Sequence, residues 1–194
     1  LAKANNIILS TFTQLMFYQF KYFFYRIRLN LRKIKDYFLL GKFSVAILDN
    51  VSIKSKPLKS VIGNNVIFYD NCILEIHPTA TLYIGNNCTF SYGVVFSAFQ
   101  EIIIGNDVMI GEYSSIRDTT HQYNIRDKSM VFGNDTSIPI KIGNNVWIGR
   151  GCLIMPGTII EDGVVVAANS LVKGTLKANS IYGGNPAKFI KNRI

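Results

Sequence analysis

Aliphatic side chains recur at every sixth position along most of this chain. The longest run consists of Ile142, Ile148, Ile154, Ile160, Val166 and Val172, and shorter runs start at Ile62, Ile84 and Ile104. A period of six matches neither the 3.6-residue period of an amphipathic helix nor the simple alternation of a half-buried strand. It fits a chain that turns after each hexapeptide, so that three hexapeptides complete a coil and five coils stack on one another.

The fourth residue after most of these aliphatic positions is small or β-branched. The residues in this position are Val66, Cys72, Cys88, Val108, Ser114, Cys152, Thr158, Val164 and Ser170. Both positions share the parity of a strand, so we expect one large and one small side chain to point inward from each face. All three cysteines of the chain occupy the small position. We therefore interpret them as buried packing thiols and not as nucleophiles or disulfide partners.

An Ile-Gly-Asn motif opens four of the coils, at residues 62, 84, 104 and 142. Glycine and asparagine tolerate the positive φ angles that tight corners require, and we assign that role to this Gly-Asn pair. Residues 44–194 are thus predicted to form an all-β domain, a parallel β-helix of hexapeptide repeats.

The six-residue period stops after Ile116 and resumes at Ile142. His121 ends the last regular hexapeptide, and residues 122–141 are predicted to form a loop insertion. The other histidine, His77, precedes a proline near a corner, and we interpret it as a structural or surface residue. Two histidines and three inward cysteines do not supply the three or four ligands of a zinc site, so no metal is expected.

The first 43 residues differ from the rest in charge and in period. They carry eight Lys or Arg and one Asp, whereas residues 44–194 carry thirteen basic and eleven acidic residues. Apolar residues from Phe20 to Phe38 follow the spacing of one helix face, which predicts a basic amphipathic helical extension. Such a helix suits the surface of an anionic membrane, although packing on the β-helix and spanning the membrane stay open. No nucleic-acid-binding motif accompanies the charge, so no nucleic-acid partner is expected.

From Ile142 the chain reads IGNNVWIGRGCLIMPGTIIEDGVVVAANSLVKG, followed from Tyr182 by YGGNPAKFIK. These motifs, in this order and downstream of His121, resemble the hexapeptide-repeat acyltransferases, in particular the branch that O-acetylates sugars. The resemblance covers residues 60–194 and implies a left-handed coil. It also implies a homotrimer with active sites between subunits, acetyl-CoA as donor, and the histidine at the break as general base.

The resemblance also implies roles for individual residues. His121 and Trp147 take the catalytic positions, with Trp147 also walling the donor site from an outward-facing position. The residues implied in acetyl-CoA binding are Trp147, Gly149, Arg150, Ala168, Lys173, Lys188 and Lys191. Ala167 stands where many relatives have glycine. Arg117, Asp118 and Tyr123 flank His121 and are candidate acceptor contacts, and Asp118 either orients the imidazole or pairs with an arginine.

We therefore predict an acetyl-CoA-dependent O-acetyltransferase that acts on a sugar hydroxyl of a polysaccharide, such as a capsule, or of a lipid-linked glycan. An imidazole that titrates near neutrality is suited to accept the proton of that hydroxyl. Acetylation of a small molecule, such as an antibiotic or an amino sugar, and a non-catalytic β-helix scaffold stay open as alternatives. Three cysteines without a disulfide pattern suit a reducing compartment. Together with the basic extension they predict a cytoplasmic protein, peripheral to the inner face of the membrane.

Overall fold

The computed structural model describes residues 45–47, 51–53 and 60–193. Within these residues the chain forms an all-β parallel β-helix with three faces, A, B and C, which each coil visits in that order. The one helical element in the described ranges is a 3₁₀ turn, Met130–Phe132. None of the described residues belongs to a helix with the length and apolarity needed to cross a membrane. The predicted extension 1–43 and its boundary lie outside these ranges.

Three stacks of short strands build the faces. Face A contains β1 (Val45–Ile47), β4 (Val66–Phe68), β7 (Thr89–Phe90), β10 (Met109–Ile110), β15 (Trp147–Ile148), β18 (Val165–Val166), β21 (Ser180–Gly183) and β22 (Lys188–Asn192). Face B contains β2 (Ser52–Ile53), β5 (Ile73–Ile76), β8 (Val95–Ala98), β11 (Ser115–Arg117), β16 (Leu153–Ile154) and β19 (Leu171–Val172). Face C contains β3 (Val61–Ile62), β6 (Thr81–Ile84), β9 (Glu101–Ile104), β14 (Ile140–Ile142), β17 (Ile159–Ile160) and β20 (Thr175–Leu176). Within these three faces, neighbouring strands are parallel, except for the antiparallel pair β21–β22.

The interior is filled by the two inward positions that the period predicts. The large aliphatic residues of the repeat and every small-position residue named above are buried, with at most 4% of each exposed. Near the N-terminal end of the stack, the rings of Phe68, Phe90 and Phe96 pack with centroids 5.0 to 6.4 Å apart. Burying each such side chain contributes roughly 1.5–3 kcal/mol, so the stacked interior is the main source of stability.

The corner between faces C and A, which we call the Asn corner, repeats closely from coil to coil. Its glycines, Gly63, Gly85, Gly105 and Gly143, lie directly above one another, and a Cβ at any of the first three would come within 2.4–2.7 Å of the next glycine's carbonyl oxygen. Beside them runs a ladder in which each backbone N–H donates to the side-chain oxygen of the next coil. The ladder joins Asn64, Asn86, Asn106, Asn144 and Asp162.

Positive φ angles at the Asn corner belong to a different residue from the one the sequence indicates. The glycines do not adopt them, and the residues that do are Asn65, Asn87, Asp107 and Asn145, with φ of 53–58°. Glycine is therefore required here for the close approach of successive coils, and the third residue of the corner makes the left-handed turn.

Coil length varies strongly, and the variation is confined to one place. Along face C, residues Ile62, Ile84, Ile104, Ile142, Ile160 and Leu176 stack in register, at intervals of 22, 20, 38, 18 and 16 residues. The steps from face C to A and from A to B keep the regular six residues. All extra or missing residues fall between faces B and C, at what we call the loop corner.

Candidate active site

The long insertion at the loop corner begins with a β-hairpin that carries His121. After β11 the chain leaves the coil as β12 (Thr119–His121), which pairs antiparallel with β13 (Asp135–Ser137) and places His121 opposite Asp135. The coil resumes with β14 at Ile140, which stacks on Ile102. The predicted insertion, 122–141, is therefore wrong at both ends, because residues 119–121 already lie outside the coil and residues 140 and 141 have rejoined it.

The cross-strand pairing gives His121 a carboxylate partner. Its Nδ1 lies 2.5 Å from Oδ1 of Asp135, while 87% of the imidazole side chain is exposed. Opposite residues on antiparallel strands bring their side chains within direct reach, so the hairpin register itself creates this contact. The geometry assigns Nδ1 as the donor to the carboxylate and leaves Nε2 free to accept a proton.

Asp118 has a different role from either of those predicted. It is fully buried, and its carboxylate accepts hydrogen bonds of 2.7–2.8 Å from the backbone N–H groups of Phe99, Gln100 and Glu101. These N–H groups form the loop corner of the preceding coil, where the insertion removes the backbone carbonyls that would otherwise lie above them. Asp118 substitutes for those carbonyls. The predictions that it orients His121, pairs with an arginine or contacts the acceptor are therefore wrong.

A cavity of about 440 Å³ opens beside the hairpin. Arg117, Thr120, His121 and Asp135 line it together with Glu75, Phe99, Thr119, Met155 and Pro156. Arg117 is exposed on face B and reaches this cavity, as its predicted acceptor role requires. Tyr123 is 77% exposed and lines neither this cavity nor the larger one on face A, so its role stays a prediction.

A second cavity, of about 630 Å³, lies on face A and along the corner between faces A and B. Four residues predicted to bind the donor line it, namely Trp147, Gly149, Arg150 and Ala168. Trp147 points outward with 51% of its surface exposed, as its position in the repeat predicts, and stacks in register between Met109 and Val165. The cavity wall is therefore mainly apolar, with Arg150 and Glu112 as its charged residues.

Comparisons with known proteins place this geometry in a family. The model of the bacterial transferase hexapeptide family (six repeats) matches residues 139–174. A Lysinibacillus sphaericus protein, provisionally named macrolide acetyltransferase, is 41% identical over 141 residues, covering 66% of this chain and 69% of that protein. WbbJ of Escherichia coli K12, provisionally named lipopolysaccharide biosynthesis O-acetyl transferase, is 30% identical over 159 residues. The match covers 64% of this chain and 81% of that protein. The chain belongs to the hexapeptide-repeat family of acetyltransferases.

Solved structures support the fold of this acetyltransferase. A variant of AntD, an N-acyltransferase from Bacillus cereus, was crystallised with dTDP and coenzyme A. It superimposes with a TM-score of 0.68 over 77% of this chain and 82% of its own, at 24% identity.

Three basic residues predicted to bind the donor lie apart from both cavities. Lys173 is exposed beyond β19, and Lys188 and Lys191 are exposed on β22. Lys191 pairs with Ile181, which does line the face A cavity, so β22 runs beside that cavity without entering it. Their contact with donor phosphates stays a prediction.

The cysteines and His77 hold the structural places that the sequence indicates. Cys72, Cys88 and Cys152 are fully buried, and burial raises the pKa of all three thiols, that of Cys72 to about 11. Nδ1 of His77 lies 2.8 Å from Oγ1 of Thr79, and its ring stacks on Phe99. Within the described ranges, no three His, Cys, Asp or Glu side chains gather as a metal ion would require.

Sequence reasoning missed Asp135, the partner of His121. It also missed Met109 and Glu112 in the face A cavity. Met109 carries a usable signal, because it precedes the inward Ile110 and so has the same outward parity as Trp147. Glu112 could have been found in the same way, since it occupies the corner position that Arg150 holds one coil later.

Proposed function

We propose that this chain is an acetyl-CoA-dependent O-acetyltransferase that acetylates a sugar hydroxyl of a polysaccharide or lipid-linked glycan, with His121 as general base. The observation that carries the proposal is the contact between His121 and Asp135 at the point where the coil opens. A scaffold has no need of an exposed imidazole fixed by a carboxylate, whereas a general base does.

Asp135 orients His121 so that the imidazole can transfer one proton from the acceptor hydroxyl to the leaving sulfur. Asp135 accepts the Nδ1 hydrogen, which fixes the tautomer and leaves the Nε2 lone pair for the acceptor. As the acceptor oxygen bonds to the acetyl carbonyl carbon, Nε2 removes the hydroxyl proton, and it returns that proton to the sulfur when the carbon–sulfur bond breaks. General base catalysis of this kind typically contributes about 10²–10⁴-fold to the rate.

The face A cavity suits a long, narrow donor. Acetyl-CoA, when bound, supplies the acetyl group as a thioester. Met109, Trp147 and Val165 present an apolar wall that excludes water from such an arm, and the Arg150 guanidinium at the adjoining corner suits a phosphate. A volume of about 630 Å³ is in the ordinary range for a small-molecule site.

The proposed base, His121, and the proposed donor wall, with Trp147, lie in separate cavities of one subunit. The two cavities have no lining residue in common. His121 follows β11 on face B, and Trp147 lies on face A one coil step later. We propose that they meet in a homotrimer, where the loop corner of one subunit faces the donor cavity of its neighbour. Light scattering of the purified chain gives the mass, and a monomer that is fully active would contradict this arrangement.

Thiol release from acetyl-CoA tests the proposed function. The full chain would be assayed with a panel of monosaccharides, oligosaccharides and capsule-type polysaccharides, and with a macrolide and chloramphenicol. We expect acceptor-dependent release with glycans, and mass spectrometry of the product to show one added acetyl group that mild alkali removes. If none of the acceptors on the panel increases thiol release, the proposed function is refuted.

Acetylation of a small molecule is a second candidate, favoured by the 41% identity to the protein named macrolide acetyltransferase. The same panel decides between the two, because each candidate requires its own acceptor to support the faster release. A preference for the macrolide over every glycan would replace the first candidate with the second.

We further propose a cytoplasmic location at the inner face of the membrane, with residues 1–43 as the contact. Their excess of basic residues is the supporting observation. Flotation of the full chain with phosphatidylglycerol vesicles should exceed flotation with phosphatidylcholine vesicles. Replacing Arg28, Arg32 and Lys35 together by Gln should reduce the difference, and flotation independent of lipid charge would contradict the proposal.

A further inference from the structure

Tyrosine side chains mark three successive coils at the corner between faces A and B, which we call the aromatic corner. Tyr92 is 43% exposed, Tyr113 is 66% exposed, and Tyr69 is half-buried. The rings of Tyr69 and Tyr92 lie with centroids 5.1 Å apart at an interplanar angle of 55°. Together they form an aromatic strip on the outside of the coils that precede Trp147.

Tyr113 occupies a backbone conformation that does not suit a tyrosine. Its φ is 58°, and every other described residue with positive φ is Asn, Asp or Gly. Asn71, Gly93, Gly151 and Asn169 fill the equivalent place at this corner. Bulky residues are rare in the left-handed region, and such outliers concentrate at functional sites.

The interior gives no reason for a tyrosine at this position. The Tyr113 side chain lies over Gly93 on the outer surface, where a Cβ on the glycine would meet ring atom Cδ1 at 2.7 Å. Asn or Gly would make the same turn with less strain and would leave the core unchanged. What the tyrosine adds is an exposed ring and a phenol hydroxyl.

The aromatic corner continues into the face A cavity. Ser91 and Glu112, the chain neighbours of Tyr92 and Tyr113, both line that cavity. On the opposite side, towards the C-terminal coils, the cavity is bounded by Ala167, Ala168 and Arg150. In the proposed homotrimer, the acetylated sugar lies where the neighbour's base meets the thioester in this cavity. A glycan chain that continues from that point towards the N-terminal coils therefore crosses the tyrosines.

We propose that the aromatic corner binds the sugar units that adjoin the acetylated unit of a polymeric glycan. This proposal rests on the proposed function and names its acceptor as a chain and not as a single sugar. A tyrosine ring offers an apolar face to the C–H face of a pyranose, and its hydroxyl can exchange hydrogen bonds with the sugar. A small antibiotic acceptor has no further units to place there.

Calorimetric titration of the full chain without acetyl-CoA tests this site independently of turnover. The probes are cellohexaose, maltohexaose, chitohexaose and a galacturonate hexamer, each compared with its monosaccharide. We expect at least one hexamer to bind ten-fold more tightly than its monosaccharide. Tyr92→Ala should weaken that hexamer roughly five-fold, the value of one aromatic contact, and leave monosaccharide binding unchanged.

Two further variants separate binding from folding. Tyr113→Asn should raise Tm, because Asn suits positive φ, while it weakens hexamer binding. Tyr83→Ala is the matched control, since Tyr83 is also 43% exposed but lies on face C, and it should leave hexamer binding unchanged.

Three results would overturn the site. The first is that every hexamer binds no more tightly than its monosaccharide, and the second is that Tyr83→Ala weakens hexamer binding as much as Tyr92→Ala does. The third is that the Tyr92→Ala variant has a smaller oligomeric mass in light scattering than the unchanged chain. The last would mean that a second copy of the chain covers the corner. Acetyl transfer is measured separately, so tight hexamer binding without any transfer would count against the proposed function and leave the binding site standing.

Discussion

The Asn corner and the loop corner belong to the same coils but follow opposite rules. Every passage through the Asn corner has the same length, with the inward residues that flank it six positions apart. Passages through the loop corner, measured between the stacked inward residues on either side, take 10, 8, 26, 6 and 4 positions. One corner is therefore fixed by its contacts, whereas the other accommodates insertions.

Stacking at atomic distance explains the difference. At the Asn corner each glycine touches the next, and each Asn side chain caps the N–H of a neighbouring coil, so an added atom has no space. At the loop corner, Asp118 caps the exposed N–H groups of the preceding coil with one carboxylate. The backbone beyond Asp118 is thereby released from the stack, and the hairpin with His121 occupies the space.

The largest expected effect is on the catalytic rate, from a substitution that removes the proposed base and leaves the fold intact. His121→Ala should lower kcat by about 10²–10⁴-fold, because the acceptor loses its base, and should leave Tm unchanged. Asp135→Asn should have a smaller effect, and the double variant should be no slower than His121→Ala, because Asp135 acts through the imidazole. Steady-state kinetics and thermal melts check both variants. A large fall in Tm for His121→Ala would contradict the view that the hairpin at the loop corner is independent of the stability of the stack.

A second variant tests whether Asp118 belongs to the fold. Asp118→Ala should lower the free energy of unfolding by about 3 kcal/mol, because the N–H groups of three residues lose a buried acceptor. Urea denaturation measures the change. Asp127→Ala, an exposed carboxylate in the same insertion, is the control and should change stability by less than about 0.5 kcal/mol. Equal values for the two variants would contradict the assigned role.

The Asn corner should be less tolerant than the insertion. Gly105→Ala should cost about 2 kcal/mol, because its Cβ would lie 2.7 Å from the carbonyl oxygen of Gly143. One glycine inserted after Lys128 should change stability by only a few tenths of a kcal/mol, about the cost of a slightly longer loop. Urea denaturation of both variants ranks them, and the reverse order would refute the contrast between the corners.

The smallest expected effect concerns an ion pair on the surface near the C-terminal end of the stack. Nζ of Lys177 lies 2.9 Å from Oε1 of Glu161. Hydrogen bonds from Lys177 and from the Ala178 N–H hold the pKa of Glu161 below its ordinary 4.5, and the pair raises the pKa of Lys177. Lys177→Ala should lower Tm slightly at neutral pH.

The pH dependence of that difference follows from the lowered pKa of Glu161. A lowered carboxyl pKa stabilises the fold above the unfolded-state value, and this stabilisation is lost as the pH falls through the folded-state value. The difference in Tm between Lys177→Ala and the unchanged chain should therefore shrink as the pH drops below 4.5. A difference that widens in acid would contradict the assignment.

The period of six predicts the parallel β-helix and brings together residues that line the face A cavity. The assignment of that cavity to the donor comes from the resemblance to the acyltransferases and stays a prediction. Inward and outward positions follow from strand parity, and residues one coil apart must stack, so Trp147, Gly149, Arg150 and Ala168 come together. The same parity argument could have identified Asp118, which lies two positions after the inward Ile116 and so shares its direction. The charged residues beside it favoured a role in the reaction, whereas the inward direction of its side chain indicates burial.

Asp135 could not be found in this way. It lies 14 residues from His121 in a stretch without the repeat, and its position depends on the register of an antiparallel hairpin. Periodicity carries no information on where an irregular loop folds back, because no neighbouring coil constrains it. The bounds of the insertion were misjudged for the same reason.

The unequal coil lengths have a consequence for chain entropy. Closing a circuit of 38 residues instead of 18 costs only about 0.7 kcal/mol more, because closure entropy grows with the logarithm of length. That is less than the net contribution of one ordinary hydrogen bond, about 1 kcal/mol. The entropy of closing the circuit therefore sets almost no limit on the length of the hairpin that the loop corner can carry.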